Sequence, residues 1–298
     1  MKVVKIEKIE KPKTVYNLHI EKNHNYVANG MIVSNCHGST AVSIQNVSQK
    51  CVNAEYRLGF TGTLPENKAS KQTIIGNLGP VTFNVTAKEL IEQNVLSKIS
   101  IKNVIIKYPK ELCVGMDFNS EMEFVSKYEP RKKILDQVVE SGSNGENSLI
   151  LVNKIEHLKQ TEEYLKNKYG LTHSIYVIYG EIKSDIRETI RKKINSEGNV
   201  ILVATYATAS TGLNIPRLHN IVFYSSYKSK IKILQSIGRG LRKHESKESM
   251  ILWDVVDDLR YQHGTKLVDN YIFKHFKARK TYYEEQGFKF TDSLFKLS

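Results

Sequence analysis

The sequence predicts an α/β protein built around a mostly parallel sheet, with a small all-β segment ahead of it. Two observations carry this. From Pro130 onward, short apolar runs of strand length alternate with amphipathic stretches of helix length. Residues 1–35 instead hold only short strand signals grouped around Asn29-Gly30. No apolar run approaches the ~18 residues that cross a bilayer.

In the leading segment, Lys13 to Glu21 alternates in the manner of a strand, and Tyr26 to Val33 is a second strand-like run broken by the Asn29-Gly30 turn signal. Thirty-five residues of small strands cannot bury a core alone, so the segment requires a partner to complete its fold. Glu55 to Thr61 reads as a buried strand ended by Gly62, and Thr86 opens a short helix running to Asn94. Ile99 to Tyr108 is β-rich, and residues 109–128 read as a connector. Helices are then predicted at Arg131–Glu140, Ile155–Tyr169, Lys183–Ser196 and Lys230–Arg242. Strands are predicted at Leu149–Val152, Ser174–Ile178, Val200–Ala204, Asn220–Tyr224 and Met250–Val255. Strands and helices alternating at this spacing imply a parallel sheet covered on both faces, with ligands at the carboxyl ends of its strands. The tail, 264–298, is aromatic, basic and helical at first. Core packing is the expected use of its Tyr271, Phe273, Phe276, Tyr282 and Tyr283.

The 298 residues carry a net charge of +13 and a pI near 9.4, and most of the excess lies beyond residue 35. A basic surplus of that size favours a polyanionic partner, most simply nucleic acid. Three cysteines are too few and too odd in number for a disulfide framework, which points to a reducing compartment. No signal-peptide core opens the chain, no Cys/His cluster has zinc spacing, and no membrane or metal role is expected.

Two groups of motifs meet at Ser34-Asn35-Cys36-His37. An Asn amide can attack its own backbone carbonyl and cleave the chain as a succinimide. A Cys immediately after it can accept an upstream segment as a thioester, and a nearby His can move the proton. Asn35, Cys36 and His24 meet those needs. The string Val15-Tyr16-Asn17-Leu18, His24-Asn25-Tyr26, Ala28-Asn29-Gly30 and Val33-Ser34-Asn35-Cys36 resembles the last two sequence blocks of inteins, and most of all the C-terminal piece of a split intein. The resemblance implies a Hint-type fragment over 1–35 that starts at Met1, departing from the family at Asn17, often Asp, and at Ser34, often His.

Beyond the seam, Cys36-His37 would be the second half of an Asp-Glu-Cys-His box whose acidic pair comes from another chain, and Thr61-Gly62-Thr63 follows a strand. Val203 to Pro216 is rich in small and hydroxyl residues, which let backbone amides approach phosphates. Gln235 to Arg242 (QSIGRGLR) places Arg239 and Arg242 three apart on one helix face, where two guanidinium groups can clamp a phosphate. There Gly238 is expected to let the helix pack tightly. These motifs, with Trp253-Asp254 and Asp257-Asp258, make residues 36–298 resemble the UvsW-type phage helicases of superfamily 2. The resemblance implies RecA-like motor domains, with a partial first one at 36–103, a connector at 104–129, a complete second one at 130–263 and a tail at 264–298. It implies ATP and Mg²⁺ as cofactors and forked or branched DNA as substrate. It implies catalytic roles for His37, Arg239 and Arg242, and nucleotide contacts from Gly212, Asn214, Gln235, Arg239 and Arg242. DNA contacts fall to Asn153, Thr205, Tyr206 and Thr211, and coupling between the two sites to Thr61, Gly62 and Thr63.

No Gly-x-x-x-x-Gly-Lys-Ser/Thr phosphate loop occurs in the sequence, and no Asp-Glu precedes Cys36. The expectation is therefore a precursor. A second polypeptide supplies the phosphate loop, the Asp-Glu end and the N-terminal intein piece, and splicing in trans removes residues 1–35. The chain alone should lack ATPase activity, and the ligated enzyme should act in the cytoplasm, that of a host cell if viral. A second reading stays open, in which the chain is a basic DNA-binding module working without ATP beside a relic intein segment.

Overall fold

The computed structural model describes residues 25–28, 31–35, 45, 56–210 and 215–297, in two compact units, Met1–Thr82 and Phe83–Ser298. In the first unit, strand β1 (Asn25–Ala28) runs antiparallel to β2 (Met31–Asn35), with Ala28 opposite Met31. Only two residues separate the strands, as in a tight hairpin. β2 in turn pairs in parallel with β3 (Tyr56–Phe60), which places Asn35 opposite Phe60. The division read at 35/36 is therefore not a division of this sheet, because one neighbour of β2 comes from beyond it. An all-β fragment standing by itself is not what the pairing describes. Helix α1 (Lys68–Leu78) follows; the Asn67 side chain accepts from the Ala69 and Ser70 amides and satisfies two donors of its first turn.

The second unit opens with α2 (Ala87–Glu92), held by a reciprocal capping box between Thr86 and Glu89. Strand β4 (Lys98–Lys107) comes next, then α3 (Phe118–Lys127), capped by Asp117, and α4 (Lys133–Glu140). The alternation from there is β5 (Ser148–Val152), α5 (Ile155–Tyr169), β6 (Ser174–Ile178), α6 (Ser184–Ser196), β7 (Val200–Thr205) and α7 (Tyr206–Ser210). It continues through β8 (Asn220–Phe223), α8 (Lys230–Gly240) and β9 (Ser249–Asp258). A small hairpin, β10 (Tyr261–His263) and β11 (Lys266–Val268), leads to α9 (Tyr271–Glu285) and β12 (Phe290–Lys296).

Seven of these strands form one sheet in the order β12-β4-β9-β8-β5-β7-β6, parallel at every pairing. Successive side chains leave a strand on opposite faces. Leu149, Leu151, Leu202 and Ile221 accordingly pack with Ile233 and Ile237 of α8 on one face. Ile150, Ile201, Val203 and Val222 pack with Ile134 of α4 and Leu158 of α5 on the other.

Two boundaries differ from the sequence reading. β4 pairs with β9 along its whole length, from Lys98 opposite Ser249 to Lys107 opposite Asp258, so residues 83–103 belong to the second unit and not to a first motor domain. Within the region read as a connector, α3 is a docked helix. Its buried Glu121 carboxylate accepts from the Tyr271 and Ile272 amides and caps α9. The tail opens with β11, is helical through α9 and ends in β12, which extends the sheet beside β4. Of the five tail aromatics singled out above, only Tyr271 is exposed, while Phe273, Phe276, Tyr282 and Tyr283 are buried.

An apolar strand buried on both faces that carries acids must find them partners. On β9, Asp254 receives Arg279 (2.7 and 2.9 Å) and the Tyr283 hydroxyl (2.8 Å), and Asp257 receives Arg131 (2.6 and 3.0 Å) and the Tyr108 hydroxyl (2.7 Å). Burial works against the charge of both arginines, but their aspartates outweigh it and hold them above the ordinary arginine value. Among the described residues, no helix is long and apolar enough to cross a membrane.

Candidate functional site

Helix α8 runs back from the carboxyl ends of the strands to their amino ends. Its face of Ile233, Ser236, Ile237 and Gly240 is buried, which leaves Gln235, Arg239 and, just past its end, Arg242 partly exposed. Burial and then the charge of Arg242 hold the Arg239 guanidinium below its ordinary value, and burial alone does so for Arg242. Two like charges a turn apart in partly dry surroundings are stabilised by a bound anion, and a phosphate suits two guanidinium forks. Among the described residues no group of three His, Cys, Asp or Glu could hold a metal. The fit to ATP is therefore to its phosphates, at the arginine pair, and Mg²⁺ has no ligand set among them.

The end of α8 is anchored from three directions. Gly240 packs against Met250 and Ile221 so closely that a Cβ there would overlap the Met250 sulfur and lie 2.8 Å from Ile221 Cδ1. Gly238, by contrast, is exposed and has open space where a Cβ would sit. The close-packing glycine of this helix is Gly240, which corrects the role read for Gly238. Ser97, ahead of β4, donates its amide to the Leu241 carbonyl (2.8 Å) and its hydroxyl to that of Arg242 (3.2 Å). Lys247 donates from its buried ammonium to the carbonyls of Gly240 and Leu218, each at 2.6 Å.

The other predicted contacts lie elsewhere. Asn153 follows the carboxyl end of β5, at the opposite end of the sheet from Arg239. It lines a cavity of about 120 Å³ with Lys154, His157, Ser225 and, from α3, Met122 and Lys127. Its amide donates to the Ser226 carbonyl at 2.7 Å, and its Oδ1 is buried with no hydrogen-bond partner. This is the switch point of the sheet, where the chain leaves β5 for β6 on one side and later enters β8 on the other. Burial pushes the His157 imidazole down to about 3, so it is neutral at ordinary pH, with Nδ1 3.0 Å from Ser225 Oγ.

Thr205 and Tyr206 are buried. The Thr205 hydroxyl lies 2.8 Å from that of Thr208 and accepts weakly from the Thr208 amide, capping α7 from a buried position. Tyr206 is 1% exposed, stacks on Tyr227 and donates its hydroxyl to the Ser225 carbonyl. Both hydroxyls are engaged within the fold. In the first unit, Thr61-Gly62-Thr63 directly follows β3, and Thr61 Oγ1 both donates to the Thr63 carbonyl and accepts from its amide. His24, Cys36, His37, Thr211, Gly212 and Asn214 lie outside the described residues, and Asn35 is described only as the last residue of β2.

The sequence reading missed Lys247 and Ser97, which act through backbone carbonyls and belong to no motif. It also missed Arg131 and Arg279. The signal for those two was available, because three acids in the apolar run Met250–Asp258 require buried cations.

Residues 130–244 match the family model of the helicase conserved C-terminal domain. The chain is similar to the ATP-dependent DNA helicase uvsW of Enterobacteria phage T4, 28% identical over 88% of this chain and 54% of that protein. The crystal structure of T4 UvsW superposes with a TM-score of 0.57 at 26% identity, over 90% of this chain and 54% of that one. Dbp5 of S. cerevisiae, solved bound to RNA and ADP BeF3, shares the fold at a TM-score of 0.53 and 12% identity, over 89% of this chain and 59% of that one. Residues 130–244 are thus similar to a helicase C-terminal domain, and the chain spans about half the length of the phage relative it matches.

Proposed function

We propose that residues 36–298 supply the second half of an ATP-dependent DNA helicase. The observation that carries this reading is the arginine pair Arg239 and Arg242, anchored at the end of α8 inside the segment that matches the helicase domain. In this role both guanidinium groups bind the γ-phosphate as charge moves onto it. Gln235, on the exposed side of the same helix, orients the nucleotide, aided by Gly212 and Asn214. Asn153 and Thr211 serve the DNA backbone, and Thr61, Gly62 and Thr63 couple the two sites. Forked or branched DNA is the substrate, and the cytoplasm is the place of action.

None of the 298 residues forms a phosphate loop, so in this proposal the loop and the Asp-Glu that holds Mg²⁺ lie on sequence outside them. The finer reading joins the two at Asn35–Cys36 by splicing in trans. Asn35 cyclises, Cys36 accepts the incoming segment, His24 transfers the proton, and Cys36-His37 then completes the ATPase box. What supports it is the sequence string ending at Val33-Ser34-Asn35-Cys36, which puts an Asn directly before a Cys nucleophile.

ATP hydrolysis tests the first reading. The chain alone should be inactive, and the protein completed by its phosphate-loop half should hydrolyse ATP faster with DNA. Turnover by the chain alone, or a completed enzyme indifferent to Arg239→Ala, contradicts it. For the splicing, Asn35→Ala and Cys36→Ala should each abolish the joined product.

A further inference from the structure

We infer that Lys247 is a positioning residue that sets the place of Arg239 and Arg242 relative to the segment entering β8. The inference rests on the reading of those arginines as a phosphate clamp. Lys247 belongs to the turn between α8 and β9, is 9% exposed, and spends two of its three N–H bonds on Gly240 O and Leu218 O. Gly240 lies between the two arginines in sequence. Leu218 belongs to the stretch 215–219, which leads from the motif at Val203–Pro216 into β8 and sits in the core through Ile215 and Leu218. One ammonium therefore ties the arginine turn to the segment following the other nucleotide motif.

An apolar residue would have filled that space. Burial instead holds the Lys247 ammonium down to about 8, a cost borne where two carbonyl oxygens would otherwise be left dry. The same turn is fixed a second time by His219. Its Nδ1 accepts from the Asn147 amide, so its Nε2 carries the proton and donates to the Ser246 carbonyl at 3.2 Å. With Ser246 and the backbone on either side pinned, Lys247 has a defined origin from which to hold Gly240. A shift of the 215–219 segment must then pull on the carbonyl between the two arginines.

Carbon-detected NMR of the arginine guanidinium groups in the full chain tests this, with inorganic pyrophosphate as the probe. Arg131 and Arg279, locked on Asp257 and Asp254, report that the fold is intact. Lys247→Met should shift the Arg239 and Arg242 signals and weaken their response to pyrophosphate, while Arg131 and Arg279 keep theirs. Lys247→Arg should restore both. Unchanged Arg239 and Arg242 signals in a folded Lys247→Met chain overturn the proposal.

If that variant loses the Arg131 and Arg279 signals, a titration of the wild type decides. Arg239 and Arg242 should move with a midpoint near pH 8, and a flat response overturns the proposal. The charged groups on its own turn are Arg242, Lys243, His244, Glu245 and Glu248; His219, which packs against that turn, also feels Glu146 and Arg217, and the Lys243 amine is turned onto Asn94 Oδ1. Pyrophosphate that never reaches the wild-type arginines counts against the phosphate-clamp reading instead, so the two failures are distinguishable.

Discussion

Gly240 and Met250 are in contact across the end of α8 and the start of β9, with no room for a methyl group between them. Gly240→Ala should therefore destabilise the protein by about 1–3 kcal/mol, as overpacking does. Gly238→Ala, in open space on the same helix, should be neutral or stabilising by up to about 1 kcal/mol. Urea unfolding measures both, and equal effects at the two positions contradict the packing described.

Arg239→Ala and Arg242→Ala should each lower kcat of the completed enzyme by about 10³-fold or more, with a smaller change in KM for ATP. Lysine should not rescue either position, because it lacks the planar fork. Steady-state kinetics with saturating DNA checks this; loss confined to KM would remove the arginines from the transition state.

The Arg131–Asp257 pair is fully buried, and Arg131 also donates to the Tyr224 carbonyl. Asp257→Ala should cost about 3–5 kcal/mol by leaving a buried guanidinium without its counter-charge. Adding Arg131→Met to that variant should recover much of the loss. Denaturant midpoints of the two variants decide the point, and a double variant weaker than the single one contradicts the account.

Burial, helped by the Arg131 and Lys132 charges, holds His157 at about 3; burial, with Arg279 and Lys228, holds His275 at about 4. Both folded values lie below the ordinary 6.5, so the unfolded chain binds more protons as pH falls. The stability from keeping these rings neutral is present in full above pH 6.5 and is lost on acidification toward pH 4 to 3. Each ring adds up to about 1.4 kcal/mol per pH unit in that window. His157→Gln should flatten the slope of unfolding free energy by one proton. An unchanged slope would mean that His157 titrates normally in the fold.

Much of the second unit is legible in the sequence because two periods dominate it. Helix Ile155–Tyr169 and strand Ser174–Ile178 have the bounds that the apolar spacing predicts. β12 was not legible, since its middle, Thr291-Asp292-Ser293, is polar and exposed at the sheet edge, and only register with β4 makes it a strand. α3 escaped for a related reason, because its buried Glu121 serves as a cap and interrupts the apolar stripe. In the site, Arg239 and Arg242 announce themselves through local spacing. Ser97 reaches the same turn from about 145 positions away, a contact that only the folded chain brings together.

In the proposed splicing, Cys36 becomes joined to a sequence that lies outside these 298 residues. Trypsin cuts after Lys22 and next after Lys50, so the peptide of residues 23–50 spans the seam. Mass spectrometry of that peptide, from cells making both halves, decides whether Cys36 is so joined. Splicing yields a peptide ending at Lys50 in which residues 23–35 are replaced by a sequence ending in Asp-Glu. Recovery of only the uninterrupted 23–50 peptide, from protein that hydrolyses ATP with DNA, would contradict it.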